Sequence, residues 1–218
     1  MNTVLQVLYT SILLFSAVMA FIYRKHLNSR MLSIMLPYLI LVFIQEITLL
    51  IIGYVDSSIR NYVVYNIYQP VTVLVFAYIY FRLPFMLPVK KLIGVVIIVY
   101  ALLILINYIF FESILQASRY MPLVRGFVIT LFGLLFLYRY FYFDNAEEEG
   151  FWRPLLWITI GIATFYPVIS ISITFQKYLA EGNHTFHGFK LYHLIPRVMS
   201  IFMYSCFSYA FYLCRKKI

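Results

Sequence analysis

Eight polar side chains stand within stretches otherwise built from aliphatic and aromatic residues: Gln45, Glu46, Asn66, Gln69, Asn107, Arg125, His193 and Arg197. They form the candidate site. Glu46 is the only acid deep in any apolar stretch, with Arg197 its best match in depth and Arg125 the alternative. A charge at the centre of a bilayer costs about 2.5–3.5 kcal/mol on insertion scales, so such groups turn toward one another or toward a cavity. Two chemistries fit. In the first, Arg125 and Arg197 face an anionic group while Glu46 or His193 tunes protonation. In the second, Glu46 pairs with Arg197 or Arg125, and the amides complete a structural network.

Spacing gives these residues common faces. His193 and Arg197 are four apart, and their stripe continues through Ser200, Tyr204 and Ser208. Tyr62, Asn66, Gln69 and Thr72 form a similar stripe. At a rise of about 1.5 Å per residue, Glu46 lies about 12 Å, Gln69 about 10 Å and Arg197 about 9 Å from one and the same membrane face. Asn66, Asn107, Arg125 and His193 are shallower on that side. Residues from five helices are therefore expected to converge on one pocket, provided the second, third and seventh helices are neighbours.

Other chemistries have less support. His184 and His187 flank a Thr-Phe pair with His193 nearby, but without matching Cys or carboxylate partners they do not make a zinc site, and no metal or cofactor is expected. No GxSxG nucleophile motif occurs. The last apolar stretch holds no lysine, so a retinal Schiff base has no anchor there. Cys206 and Cys214 are eight residues apart, about 12 Å along a helix, which is too far for a disulfide.

The elements that position these residues follow from composition. Of the 218 residues, 64% are hydrophobic and 11% charged, more apolar surface than a soluble core of this size can hide. Each span of a bilayer needs about 20 mostly apolar residues. Seven such stretches are read at about 3–23, 31–54, 62–81, 92–111, 123–143, 151–175 and 191–214, giving an all-α, single-domain membrane bundle. The net charge of +9 comes from basic residues in short loops, which points to lipid headgroups and topology and not to nucleic acid. Arg24, Lys25, Arg30, Arg82, Lys90, Lys91, Arg139, Arg153, Arg215, Lys216 and Lys217 fall on one side, and Arg60, Arg119, Arg125, Lys177, Lys190 and Arg197 on the other. By the positive-inside rule the first side is cytoplasmic, with the N-terminus outside, in a cell (inner) membrane. Ala17-Val18-Met19-Ala20 resembles a signal-peptide cleavage site, but the basic residues follow the apolar run, so a retained helix is expected.

Between spans, the acidic segment 144–150 and the polar segment 176–190 are read as loops. Pro167 is expected to kink the sixth helix, with Thr164, Tyr166 or Ser170 satisfying the freed carbonyl. Glycines are few and no GxxxG occurs, so close packing through small residues is expected to be minor.

In two stretches, Asn61-Tyr62-Val63-Val64-Tyr65-Asn66-Ile67-Tyr68-Gln69-Pro70 and Leu191-Tyr192-His193-Leu194-Ile195-Pro196-Arg197 through to Cys214-Arg215-Lys216-Lys217, the chain resembles uncharacterised seven-helix membrane proteins of Bacteroidota-like bacteria. The resemblance implies the seven-helix layout and transfers no catalytic residues. The expected function is a sensor or receptor-like module. It would bind a small molecule or lipid in the outer half and signal to a separate cytoplasmic protein, with the acidic loop and basic tail as docking features. Two alternatives are a membrane-embedded enzyme acting on lipid, using Glu46 and His193 as acid and base, and a small transporter in which Glu46 carries a proton. The absence of internal repeats and of paired broken helices weighs against transport. A membrane scaffold with no ligand is the fourth reading.

Overall fold

A segment crossing hydrocarbon has no water to satisfy its backbone, so apolar runs of this length fold as helices. The computed structural model describes residues 2–29, 32–55, 62–116, 118, 120–142, 146–175, 178–179, 185–186 and 189–215. Its helices are α1 (Asn2–Ile22), a short α2 (Arg24–Ser29), α3 (Met35–Val55), α4 (Tyr62–Arg82), α5 (Lys90–Ile106), α6 (Met121–Tyr142), α7 (Ala146–Thr174) and α8 (Leu191–Leu213). A 3-10 turn at Pro84–Val89 precedes α5, and a π turn at Asn107–Phe111 ends it. Among the described residues seven helices, α1 and α3 to α8, are long and apolar enough to cross a membrane. The protein is thus an all-α, multi-pass membrane bundle.

Several boundaries differ from those read in the sequence. The second span begins at Met35, because Leu32 folds back on Leu27 (N to O, 2.9 Å) and a turn precedes the helix. The acidic segment is helical from Ala146 onward, so α7 starts before the expected loop ends. Within the polar segment 176–190, Thr185–Phe186 and Phe189–Lys190 pair as a small antiparallel hairpin, Thr185 opposite Lys190.

Hydroxyls inside the spans are satisfied locally. Thr72 donates to Tyr68 O (3.0 Å), Thr130 to Gly126 O (2.7 Å), Ser200 to Pro196 O (2.8 Å) and Ser208 to Tyr204 O (2.9 Å), each one turn back. Thr164 bonds Ile160 O (2.8 Å) and Gly161 O (3.1 Å). These carbonyls precede Ala163, the one freed by Pro167, so Thr164 does not repair the proline break as expected.

The helices close into a ring. α1 packs on α3, α3 on α4, α4 on α6, α6 on α7, α7 on α8, and α8 returns to α1. α5 lies outside this ring against α4 and α6, and it is the least buried span. Small residues matter at two crossings, contrary to expectation. A Cβ at Gly126 of α6 would collide with the Ser170 hydroxyl of α7 and stand 3.3 Å from Tyr166 O. At Gly161 of α7 it would stand 3.1 Å from Cys206 Cβ and 3.2 Å from Met203 O of α8. These glycines let helix backbones approach closely.

We call the half toward the start of α1 the upper half, and the half toward Arg24, Arg82 and Arg215 the lower half. The lower half holds a buried aromatic core. Phe76, Tyr80, Phe132, Phe136, Phe207 and Phe211 are fully buried there. Tyr80 lies 5.7 Å from Phe136 between ring centroids, and its hydroxyl shares a hydrogen bond with Thr159 (3.0 Å).

Candidate functional site

The upper half is hollow. A chamber of about 310 Å³ is enclosed by residues from α1, α3, α4, α6, α7 and α8. Helical spacing puts them there. Tyr38, Gln45 and Glu46 of α3 share one face, as do Tyr65 and Tyr68 of α4 and Arg197, Ser200 and Tyr204 of α8. α1 supplies Gln6 and Tyr9, α6 supplies Arg125, and α7 supplies Tyr166. A second cavity of about 410 Å³, the vestibule, shares Tyr65, Arg125, Ile169 and Pro196 with the chamber and adds Asn66, Gln69, Ser118 and Tyr192. Arg125 therefore stands between two adjoining spaces.

The chamber is charged and tyrosine-rich. Among the described residues its charged lining is Arg125, Arg197 and Glu46, formally two positive charges against one negative. Glu46 meets the Tyr9 hydroxyl and feels the charge of Arg197. The Arg125 guanidinium lies 5.7 Å from the Tyr166 ring centroid, a cation–π contact. Tyr38 and Tyr68 share a hydrogen bond between hydroxyls (2.8 Å) and stack with ring centroids 6.4 Å apart. Below them the Tyr38 ring meets Phe76 edge-on at 5.6 Å, which joins the chamber floor to the lower aromatic core.

The decisive feature is what stays unsatisfied. Nε of Arg125, Nη1 of Arg197 and Oε1 of Gln45 and of Gln69 are buried without a hydrogen-bond partner. A buried polar atom without a partner costs about 1–3 kcal/mol, and more when the group is charged. Glu46 and Arg197 both line the chamber, and Nη1 of Arg197 has no hydrogen-bond partner from the protein.

The eight residues singled out in the sequence separate into three sets. Gln45, Glu46, Arg125 and Arg197 come together in the chamber. Asn66 and Gln69 line the vestibule, but Asn66 works as a clamp: its Nδ2 donates to Ile114 O (2.8 Å) and Gln116 O (2.9 Å), pinning the α5–α6 connection onto α4. Asn107 and His193 line neither space. Asn107 is buried in the π turn and donates to Glu112 Oε2 (2.9 Å), which also accepts from Ser118 Oγ (2.5 Å). Ser118 Oγ in turn accepts Met121 N–H (3.2 Å) and so caps the start of α6. His193 is exposed and packs its ring against Tyr192 (4.1 Å).

The ring order also changes how the helices converge. α8 reaches the chamber beside α1 and α7, and α3 reaches it beside α1 and α4. The assumed second–third–seventh neighbourhood therefore holds for α3 and α4, with α1 standing between α3 and α8. Of the wall tyrosines, Tyr204 lay on the Arg197 stripe and Tyr166 was read only beside Pro167, while Tyr9, Tyr38, Tyr65 and Tyr68 were not singled out in the sequence. Among 21 tyrosines, only their helical phase with Glu46 and Arg197 could have marked them.

Among the described residues no group of three or more His, Cys, Asp and Glu is placed to hold a metal ion. His184 and His187 lie outside the described residues. Compared with known proteins, the chain matches no protein-family model, no curated protein and no solved structure.

Proposed function

We propose that this protein is a receptor-like membrane sensor whose upper chamber binds a small molecule carrying one negative charge. The carrying observation is the pair of arginines that line the chamber with buried nitrogens lacking partners. The lining has one positive charge in excess, so a monoanion such as a carboxylate neutralises it and supplies acceptors to both guanidiniums. Tyrosine hydroxyls around them offer both donors and acceptors for the rest of the ligand. The surplus of Lys and Arg in the lower loops favours a cytoplasmic lower side, so the vestibule opens outward in a cell membrane.

Signalling follows from the same helices. Pro196 lies beside Arg197 at chamber depth on α8, and Pro167 adjoins Tyr166 on α7. Each interrupts its helix's hydrogen-bond ladder. A ligand that grips Arg197 thus acts on α8 just below the break at Pro196, and α7 and α8 carry the shift toward the lower side. There a separate cytoplasmic protein reads it, with the acidic start of α7 and the basic C-terminal residues as its docking features.

The test is mass spectrometry of what stays bound after gentle extraction from native membranes, for wild type and Arg197→Ala. The expected result is a near-stoichiometric anionic small molecule in the wild type that is lost in the variant, together with a co-purifying cytoplasmic protein. A wild type that retains no anion, or a variant that retains it equally, contradicts the proposal.

A further inference from the structure

A second concavity, unconnected with the chamber, runs along the outside of the lower half. It holds about 510 Å³ and is walled by Ile34 just before α3, by Val71, Leu74, Tyr78 and Phe81 of α4, and by Ile97 of α5. The groove exists because α5 stands outside the helix ring, leaving α4 flanked by α3 on one side and by α5 on the other. From Val71 to Phe81 its wall rises about 15 Å at about 1.5 Å per residue. That is half of the roughly 30 Å hydrocarbon core, the depth of one leaflet.

The headgroup end of this groove is cationic. Arg82 places its guanidinium 4.7 Å from the Tyr78 ring centroid, and Lys90 places its ammonium 5.4 Å from that of Phe81. Both rings are walls of the groove, so the two cations rest on the surfaces that an acyl chain would touch. The first turn of α5, which begins at Lys90, contains no acidic residue to oppose them. An apolar channel one leaflet deep, ending at two positive charges at headgroup level, matches a single kind of occupant.

We infer that this groove is a binding site for an anionic phospholipid of the lower leaflet, with one acyl chain along α4 and its phosphate held by Arg82 and Lys90. The site selects for charge, because a zwitterionic lipid offers the same chain without net attraction to the two cations. It is independent of the chamber and its ligand.

The test is native mass spectrometry of delipidated protein given equal amounts of phosphatidylglycerol and phosphatidylcholine. Wild type is expected to retain one phosphatidylglycerol in preference. Arg82→Gln/Lys90→Gln is expected to lose about thirtyfold in affinity for it, from two near-surface cations, without a change in unfolding temperature. Leu74→Trp, at a residue 54% exposed, is expected to fill the groove and reduce retention while the cations remain. Equal retention of the two lipids by wild type overturns the charge selectivity. Undiminished phosphatidylglycerol binding by the double variant overturns the phosphate seat, and undiminished binding by Leu74→Trp overturns the groove.

Discussion

The two halves of the bundle use the same amino acids to opposite ends. Tyr80 in the lower half and Tyr38 at the chamber floor are both buried, both touch aromatic neighbours, and both bond another hydroxyl. Around Tyr80 the rings of Phe132 and Phe136 pack at 6.5 and 5.7 Å between centroids. Around Tyr38 the helices diverge enough to leave a chamber walled by two arginines and a carboxylate. Packing stabilises the lower half. In the upper half, Nε of Arg125 and Nη1 of Arg197 have no hydrogen-bond partner from the protein, and both residues line the chamber.

This contrast can be broken by mutation. The largest effect is expected in the lower half: Phe132→Ala removes a ring that is fully buried, and should lower the unfolding free energy in bicelles by about 3–5 kcal/mol. Gly126→Ala comes next. Its new methyl meets Ser170 and the Tyr166 carbonyl across the α6–α7 crossing, so a loss of about 1–3 kcal/mol is expected. Gly94 of α5, where an added Cβ meets nothing within 4 Å, is its control; Gly94→Ala should be neutral or stabilise by up to about 1 kcal/mol. A smaller loss of about 1–2 kcal/mol is expected for Asn66→Ala, which removes two hydrogen bonds to the α5–α6 connection. Amide exchange should speed up around Ile114 and Gln116 in that variant. Unchanged exchange there would remove Asn66 from the scaffold and return it to the ligand site.

The sequence made the spans legible because length and hydropathy alone decide whether a segment crosses a bilayer. It also placed Glu46 and Arg197 at similar depths, with Arg125 shallower on the same side, since rise per residue is fixed. What it could not convey is lateral order. Nothing in an apolar stretch says which neighbour it faces, so the peripheral position of α5 and the packing of α1 on α8 emerge only in three dimensions. Asn107 shows the same limit: its depth matched the chamber residues, but it sits on α5, outside the ring, and serves the π turn. His193 shared a stripe with Arg197, yet one turn closer to the membrane face that stripe emerges from the bundle. The wall tyrosines were hidden by abundance, because a residue type used throughout the belts and core carries no marker of its own.

One measurement separates a ligand site from a structural network most directly: the unfolding free energy of ligand-stripped Arg197→Gln against wild type in bicelles. Arg197 leaves a buried nitrogen unbonded, and Glu46 keeps the Tyr9 hydroxyl after the change. Stability should therefore stay within about 0.5 kcal/mol of the wild type or rise above it. A loss of about 3–5 kcal/mol, regained when Glu46→Gln is added, would mean that Arg197 and Glu46 are a structural ion pair and that the chamber is not built for an anion.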